Sequence, residues 1–197
     1  MTFAVLSPPA FVTSIFADDL PSATAGKAVP PIVGTPMLRI AVAGDTGTGD
    51  AVENATAERT VLESRADPYD ALVLLGDLVY EDGDATLVDH VVTDPFAPIL
   101  RSGAQLVPLL GNHDYESGEE QQILTALGRQ DSWYVEQIEW VRIIVLDSNR
   151  VEDAEQTQWL RETLAKAQPP QMWTVVAMHH PAYSAGYHGS DVTVRET

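Results

Sequence analysis

ALVLLGDLVYEDG, residues 71–83, runs through five apolar residues without a break and then turns polar at a glycine and an aspartate. An uninterrupted apolar run of this length, bounded by turn residues, reads as a strand buried on both faces. Strands of that kind belong to sheets covered by other layers. Outward from it the same pattern recurs: MLRIAVAGD (37–45), AQLVPLLGNHD (104–114) and MWTVVAMHH (172–180) each carry an apolar run into polar residues. Pro108 has no backbone N–H, so the 104–114 strand is expected to be irregular or to lie at an edge.

Helical patterns fill the spaces between these runs. Residues 50–66 place Val52, Ala55, Val61 and Leu62 at helical spacings behind an acidic start, and Asp67-Pro68 ends them. Short helices are expected over 85–92 and near 96–101, another over 119–127 capped by Gly128, and an amphipathic one over 152–167 closed by Pro169-Pro170. SWYVEQIEWVRIIVLDSN (132–149) reads as two consecutive strands with a tight connection, the second ending at Asp147. Strands alternating with helices predict an α/β fold, and the adjacent strand pair predicts a partly antiparallel, mixed sheet. The polar residues fall at the carboxyl ends of strands, where open α/β sheets place ligands.

A chain of 197 residues with 45% hydrophobic content suits one domain with a substantial core. Acidic residues outnumber basic ones 29 to 11, giving a net charge of −18 and a sequence pI of about 4.3. That balance argues against nucleic acid and anionic membranes as partners. Cysteine is absent, which excludes disulfides and thiolate metal sites. The first 20 residues are mostly apolar, carry no Lys or Arg and are interrupted by Pro8 and Pro9. They read as a flexible arm, with an atypical leader as the alternative. Residues 21–36 have a linker composition, so 1–36 form the arm and linker and 37–197 the folded domain.

The strand ends carry the chemistry. GDTG (44–47), GDLVYEDG (76–83), GNHD (111–114) and HHP (179–181) supply Asp45, Asp77, Tyr80, Asn112 and His179. These oxygen and nitrogen donors suit hard or borderline cations, and phosphate esters are hydrolysed readily where two cations polarise them. Tyr80 would coordinate only a strongly Lewis-acidic ion such as Fe(III). His113 and Asp114 are neighbours, so the carboxylate is expected to fix the imidazole tautomer or raise its pKa. His90 reads as a helix-face residue without a role, and His180 as a packing or hydrogen-bonding neighbour of His179. A single Gly-Asp is an ordinary turn, whereas four complementary motifs at successive strand ends are not.

The order GD…GDxxY…GNH…HxP resembles the calcineurin-like metallophosphoesterase superfamily, and Tyr80 within GDLVY is similar to the purple acid phosphatases, including the tartrate-resistant type. The resemblance covers Met37 to the end and implies an α/β fold in which two mixed β-sheets pack as a sandwich flanked by helices. It implies two metal ions: Fe(III) on Asp45 and Tyr80, and Fe(II), Zn(II) or Mn(II) on Asn112 and His179, with Asp77 bridging them. A metal-bound hydroxide would attack phosphorus directly, without a covalent enzyme intermediate. His113 would contact phosphate and assist the leaving group, helped by His188 of AGYHGSD, with Asp114 as the partner of His113.

The implied function is phosphomonoester hydrolysis of acid-phosphatase type on a small phosphate ester. The alternatives are a phosphodiesterase or nucleotidase of the same superfamily, or a non-catalytic metal- or phosphate-binding domain. The resemblance also points to a secreted or periplasmic setting and leaves oligomeric state open. Two departures stand out. Met178 precedes His179 where many relatives have Gly, and no His follows His188 to make the GHxH-type motif with which the family completes its site. The chain is therefore expected to be C-terminally incomplete.

Overall fold

The structure, a computed structural model, describes residues 2–6, 38–170 and 172–196. Most of the expected arm and all of the expected linker, residues 7–37, lie outside the described residues. Strands β1 (Thr2–Leu6), β2 (Leu38–Ala43), β3 (Ala71–Leu75) and β4 (Gln105–Leu109) form one sheet in that order. The β1–β2 pair is antiparallel, and β2, β3 and β4 run parallel. Strands β5 (Tyr134–Ile138), β6 (Val141–Val145) and β7 (Trp173–Ala177) form the second sheet, antiparallel and then parallel. Both sheets are mixed, as expected. Pro108 pairs with Leu74 from the edge strand β4, where a missing N–H breaks no ladder on the open side.

Side-chain alternation divides the core in two. Leu38 and Ile40 of β2 and Ala71 and Val73 of β3 meet Ile143 and Val145 of β6 between the sheets. Leu72 and Leu74, one residue out of phase, face Ala57, Phe96, Ile99, Ile123 and Leu124 of the helices on the outer side. Both faces of β3 are thus covered, which is why its sequence is an unbroken apolar run.

Those helices are α1 (Ala51–Ser64), α2 (Asp94–Arg101) and α3 (Glu120–Ala126), and α4 (Ala154–Ala165) lies on the second sheet. Asp50 starts α1 by accepting the N–H groups of Val52 (2.8 Å) and Glu53 (3.0 Å), and Asp153 starts α4 in the same way. Gly128 closes α3 with a positive φ of 75°. The segment expected as a helix over 85–92 is a tight 3₁₀ turn (Ala85–Leu87) running into a π-helical turn (Asp89–Thr93) that leads into α2. Arg142 of β6 fixes α4 by donating to the Thr163 carbonyl (3.1 Å) and to the Thr174 hydroxyl of β7 (2.9 Å). Strand β1 and a short C-terminal helix, α5 (Val192–Glu196), are additional to the expected elements. Among the described residues no helix is long and apolar enough to cross a membrane.

Leu72 is fully buried, so Leu72→Ala removes both transfer energy and packing. It is expected to destabilise the fold by about 2–5 kcal/mol. Val52→Ala, on the exposed face of α1, is expected to stay within about 0.5 kcal/mol of wild type. Urea unfolding of the two variants beside wild type checks both values.

Candidate metal centre

Every strand-end motif of the sequence arrives at the same end of the two sheets. Backbone contacts lock the loops after β2 and β3 together. Asp45 N–H donates to the Gly76 carbonyl (3.0 Å), Gly47 N–H to the Asp77 carbonyl (3.2 Å), and Tyr80 N–H to the Gly47 carbonyl (2.8 Å). A Cβ at Gly47 would lie 1.9 Å from the Leu78 carbonyl oxygen, so only glycine permits this approach. The loop after β4 closes on the second one as tightly, since a Cβ at Gly111 would lie 2.2 Å from Asp77 Oδ1.

Asp114 welds that second seam. It is fully buried, and its Oδ1 accepts the N–H groups of Leu78 (2.8 Å) and Val79 (2.9 Å) while Oδ2 accepts that of Gly111 (2.8 Å). Burial pushes its carboxyl up to about 6, against the pull of those three N–H groups. This differs from the expected pairing with His113. The 3₁₀ turn His113–Tyr115 sends the carboxylate inward, and the His113 ring instead sets Nδ1 on the Glu81 carbonyl (2.5 Å) with the Glu116 carboxylate 3.5 Å away. Burial disfavours the charged form of His113, but the Glu81 carbonyl and the carboxylates of Asp77, Glu116 and Glu81 outweigh it and raise the pKa.

The five expected donors form one cluster around the carboxylate of one of them, Asp77, which is 3% exposed. Single ligand atoms of Asp45, Asp77 and His179 lie within 4.8 Å of one another. The Tyr80 hydroxyl donates to Asp77 Oδ2 (2.7 Å) and stands 3.3 Å from Asp45 Oδ1. On the other side, His179 Nε2 lies 3.2 Å from Asn112 Oδ1 and 3.6 Å from Asp77 Oδ1. His179 Nδ1 meets the Leu75 carbonyl at 2.7 Å; only a protonated Nδ1 can satisfy that oxygen, which turns Nε2 toward the centre.

A ring nitrogen, an amide oxygen and a carboxylate oxygen at these spacings call for positive charge between them. The set therefore fits bound cations on its own chemistry. Burial, the hydrogen bond to Asp77 and the charges of Asp77 and Asp45 hold the Tyr80 phenol far above its ordinary pKa. A cation beside it would invert that balance. Asp45 and Asp77 both have positive φ, 57° and 51°, a backbone state that costs about 1–3 kcal/mol each and concentrates at functional sites.

His188 is not brought to this cluster: it is exposed, with its ring against Tyr187. Conversely, the turn after β6, Asp147–Asn149, reaches the centre although its sequence suggests only a strand end. Ser148 Oγ meets His180 Nδ1 at 2.8 Å, and Asn149 Nδ2 donates to the Gly111 carbonyl (3.1 Å). A signal for it does exist, because LDSN closes an apolar run as the other motifs do. Burial, then the neighbouring His179, lowers the His180 pKa.

Comparison with known proteins bears on this arrangement. The family model described as calcineurin-like phosphoesterase matches residues 38–197. No curated protein matches the chain significantly. Among solved structures, a purple acid phosphatase from yellow lupin (Lupinus luteus) seeds is similar over 77% of this chain and 32% of its own, at 20% identity and a TM-score of 0.62. GAP50, the anchor in the inner membrane complex of Plasmodium, is similar over 81% of this chain and 60% of its own, at 16% identity and a TM-score of 0.64. A dimetal phosphatase from Danio rerio is similar over 73% of this chain and 70% of its own, at 15% identity and a TM-score of 0.53. The chain thus spans less than two thirds of the length of the first two. These likenesses are of fold.

Two outcomes test the geometry. Asp114→Asn replaces one acceptor oxygen by an amide that faces an N–H, so a loss of about 1–3 kcal/mol in unfolding free energy is expected, together with weaker metal uptake. Glu53 offers a pH test. It is 3% exposed, accepts the Gly49 N–H just past the Asp45 loop, and keeps Oε1 without a partner. Burial, opposed by that N–H, raises its pKa, with Asp50 adding to the rise and His90 reducing it. The folded chain therefore holds this proton to higher pH than the unfolded one. Its stabilising contribution is full below the unfolded carboxyl pKa of about 4.3 and is lost as pH rises through the folded pKa. Glu53→Gln should remove that loss, so in urea titrations its stability relative to wild type should rise as pH increases from the unfolded carboxyl pKa through the higher folded one.

Proposed function

The chain belongs to the calcineurin-like phosphoesterase family, and on that premise we propose that it hydrolyses phosphate monoesters at a two-metal centre of the purple acid phosphatase kind. The observation that supports this best is the division of Asp77: Oδ2 accepts the Tyr80 hydroxyl, which also reaches Asp45, while Oδ1 lies 3.6 Å from the His179 ring nitrogen that meets Asn112. One carboxylate thus lies between two donor groups. Asp45 and Tyr80 would hold Fe(III), Asn112 and His179 a divalent Fe, Zn or Mn ion, and Asp77 both. When bound, such ions supply Lewis acidity and a nucleophile at moderate pH.

The chain's own residues do the remaining work. The αL backbone at Asp45 and Asp77 presents both carboxylates to the same space. The Leu75 carbonyl aims the His179 ring, and the Glu81 carbonyl aims that of His113, whose centroid lies 4.5 Å from Tyr80. In this reading His113 would bind a phosphate oxygen and give a proton to the leaving alkoxide. A chain of net charge −18 admits a phosphate ester where cations set the local field. Tyr80 favours the monoesterase over a phosphodiesterase or nucleotidase, because it is the donor that selects a ferric ion.

Turnover of an aryl phosphate monoester and a diester, after loading with iron and zinc, tests the reading. The monoester is expected to be the faster substrate, and Asp77→Ala to reduce its turnover by at least about 100-fold. Equal turnover by wild type and Asp77→Ala would sink the site. A visible charge-transfer band is expected from wild type and not from Tyr80→Phe; a colourless protein at full zinc or manganese occupancy would contradict the ferric assignment.

A further inference from the structure

The turn Asp147–Asn149 after β6 is fixed more firmly than its position on a loop would require. Gln156 of α4, 4% exposed, accepts the Asp147 N–H (2.8 Å) and donates to the carbonyls of Asp147 (3.0 Å) and Arg150 (2.9 Å). The Asp147 carboxylate is fully buried. It accepts the Tyr115 hydroxyl from the turn that follows GNHD, and also the Asn149 backbone N–H (3.1 Å). Such a buried, mutually satisfied network resists displacement.

Two arms leave this anchored turn. Asn149 Nδ2 donates to the Gly111 carbonyl (3.1 Å), which belongs to the peptide plane leading into Asn112. Ser148, 5% exposed, accepts the His180 N–H on Oγ (3.0 Å), and that N–H belongs to the peptide plane leaving His179. The same Oγ meets His180 Nδ1 at 2.8 Å. The two planes held are those that flank Asn112 and His179, whose side chains meet at 3.2 Å. The Asp45–Tyr80 side is held by other contacts, namely the Gly47 carbonyl and Asp114.

We propose that Ser148 and Asn149 are positioning residues for the divalent-ion side of the centre, acting through His179 and Asn112 without touching the ion. This rests on the two-metal reading above. Removing either arm should loosen one ion and spare the other.

The test is titration of the metal-free chain with Zn(II) alone, followed by calorimetry, for wild type, Asn149→Ala, Ser148→Ala and Ser148→Thr. Two sites are expected in wild type. Either alanine variant should weaken one of them by about 10–100-fold and leave the other within about twofold. Ser148→Thr keeps the hydroxyl and should restore wild-type affinity. Thermal melting of the metal-free proteins separates positioning from bulk stability. Variants that melt lower yet bind both ions as wild type does would overturn the proposal, as would equal weakening at both sites or a wild type that binds no Zn(II). Asn149, half-buried, carries the test if Ser148→Ala does not fold. Two-site binding without phosphatase turnover would defeat the functional reading while the titration still decides this one.

Discussion

The carboxylate of Asp114 is the contact on which the centre depends. Three backbone N–H groups from two loops converge on it in a site closed to water. Without that acceptor, the Leu78, Val79 and Gly111 donors would each be buried unpaired, at about 1–3 kcal/mol apiece. With it, the strand ends of β3 and β4 stand in one register, and Asp77 and Asn112 face the same space. The glycines at 47 and 111 make the seam possible by removing side chains where backbones meet. Asp114 makes it definite.

Seen this way, the centre is a set of costs concentrated at one place. Two aspartates take the αL conformation, two carboxylates share one phenol proton, and a histidine nitrogen faces an amide oxygen and a carboxylate. Such features persist where the surrounding fold over-determines them. The surrounding fold here is two packed cores and four interlocked loops. Cations between the donors would reverse the sign of most of these costs, which links the folding problem to the proposed chemistry.

Much of this is legible in the amino-acid sequence. The unbroken apolar run 71–75 marks a strand covered on both faces, and Pro108 marks an edge strand. Glycine followed by an acid or amide at successive strand ends singles out Asp45, Asp77 and Asn112, Tyr80 and His179 complete the set, and the structure brings all five together. Asp114 misleads because adjacency in sequence suggests partnership, whereas a 3₁₀ turn points neighbouring side chains apart. His188 is suggested by resemblance, and the structure leaves it exposed beside Tyr187. Strand β1 is not legible because the five residues Thr2–Leu6 carry no period of their own; their pairing is decided by the open edge of β2. The Asp147–Asn149 turn shows in the sequence only as another polar end to an apolar run, and its role does not show. Its residues act through backbone planes, and nothing in a one-dimensional pattern says which carbonyl an asparagine will reach.

The central claim is that Asp77 lies between two cations. Anomalous diffraction from crystals of the iron- and zinc-loaded protein, collected at both metal edges, tests it most directly. The account predicts two peaks about 3.5–4 Å apart on opposite sides of the Asp77 carboxylate, iron beside Tyr80 and Asp45 and zinc beside Asn112 and His179. A single ion, or a pair that leaves Asp77 uncoordinated, would contradict it.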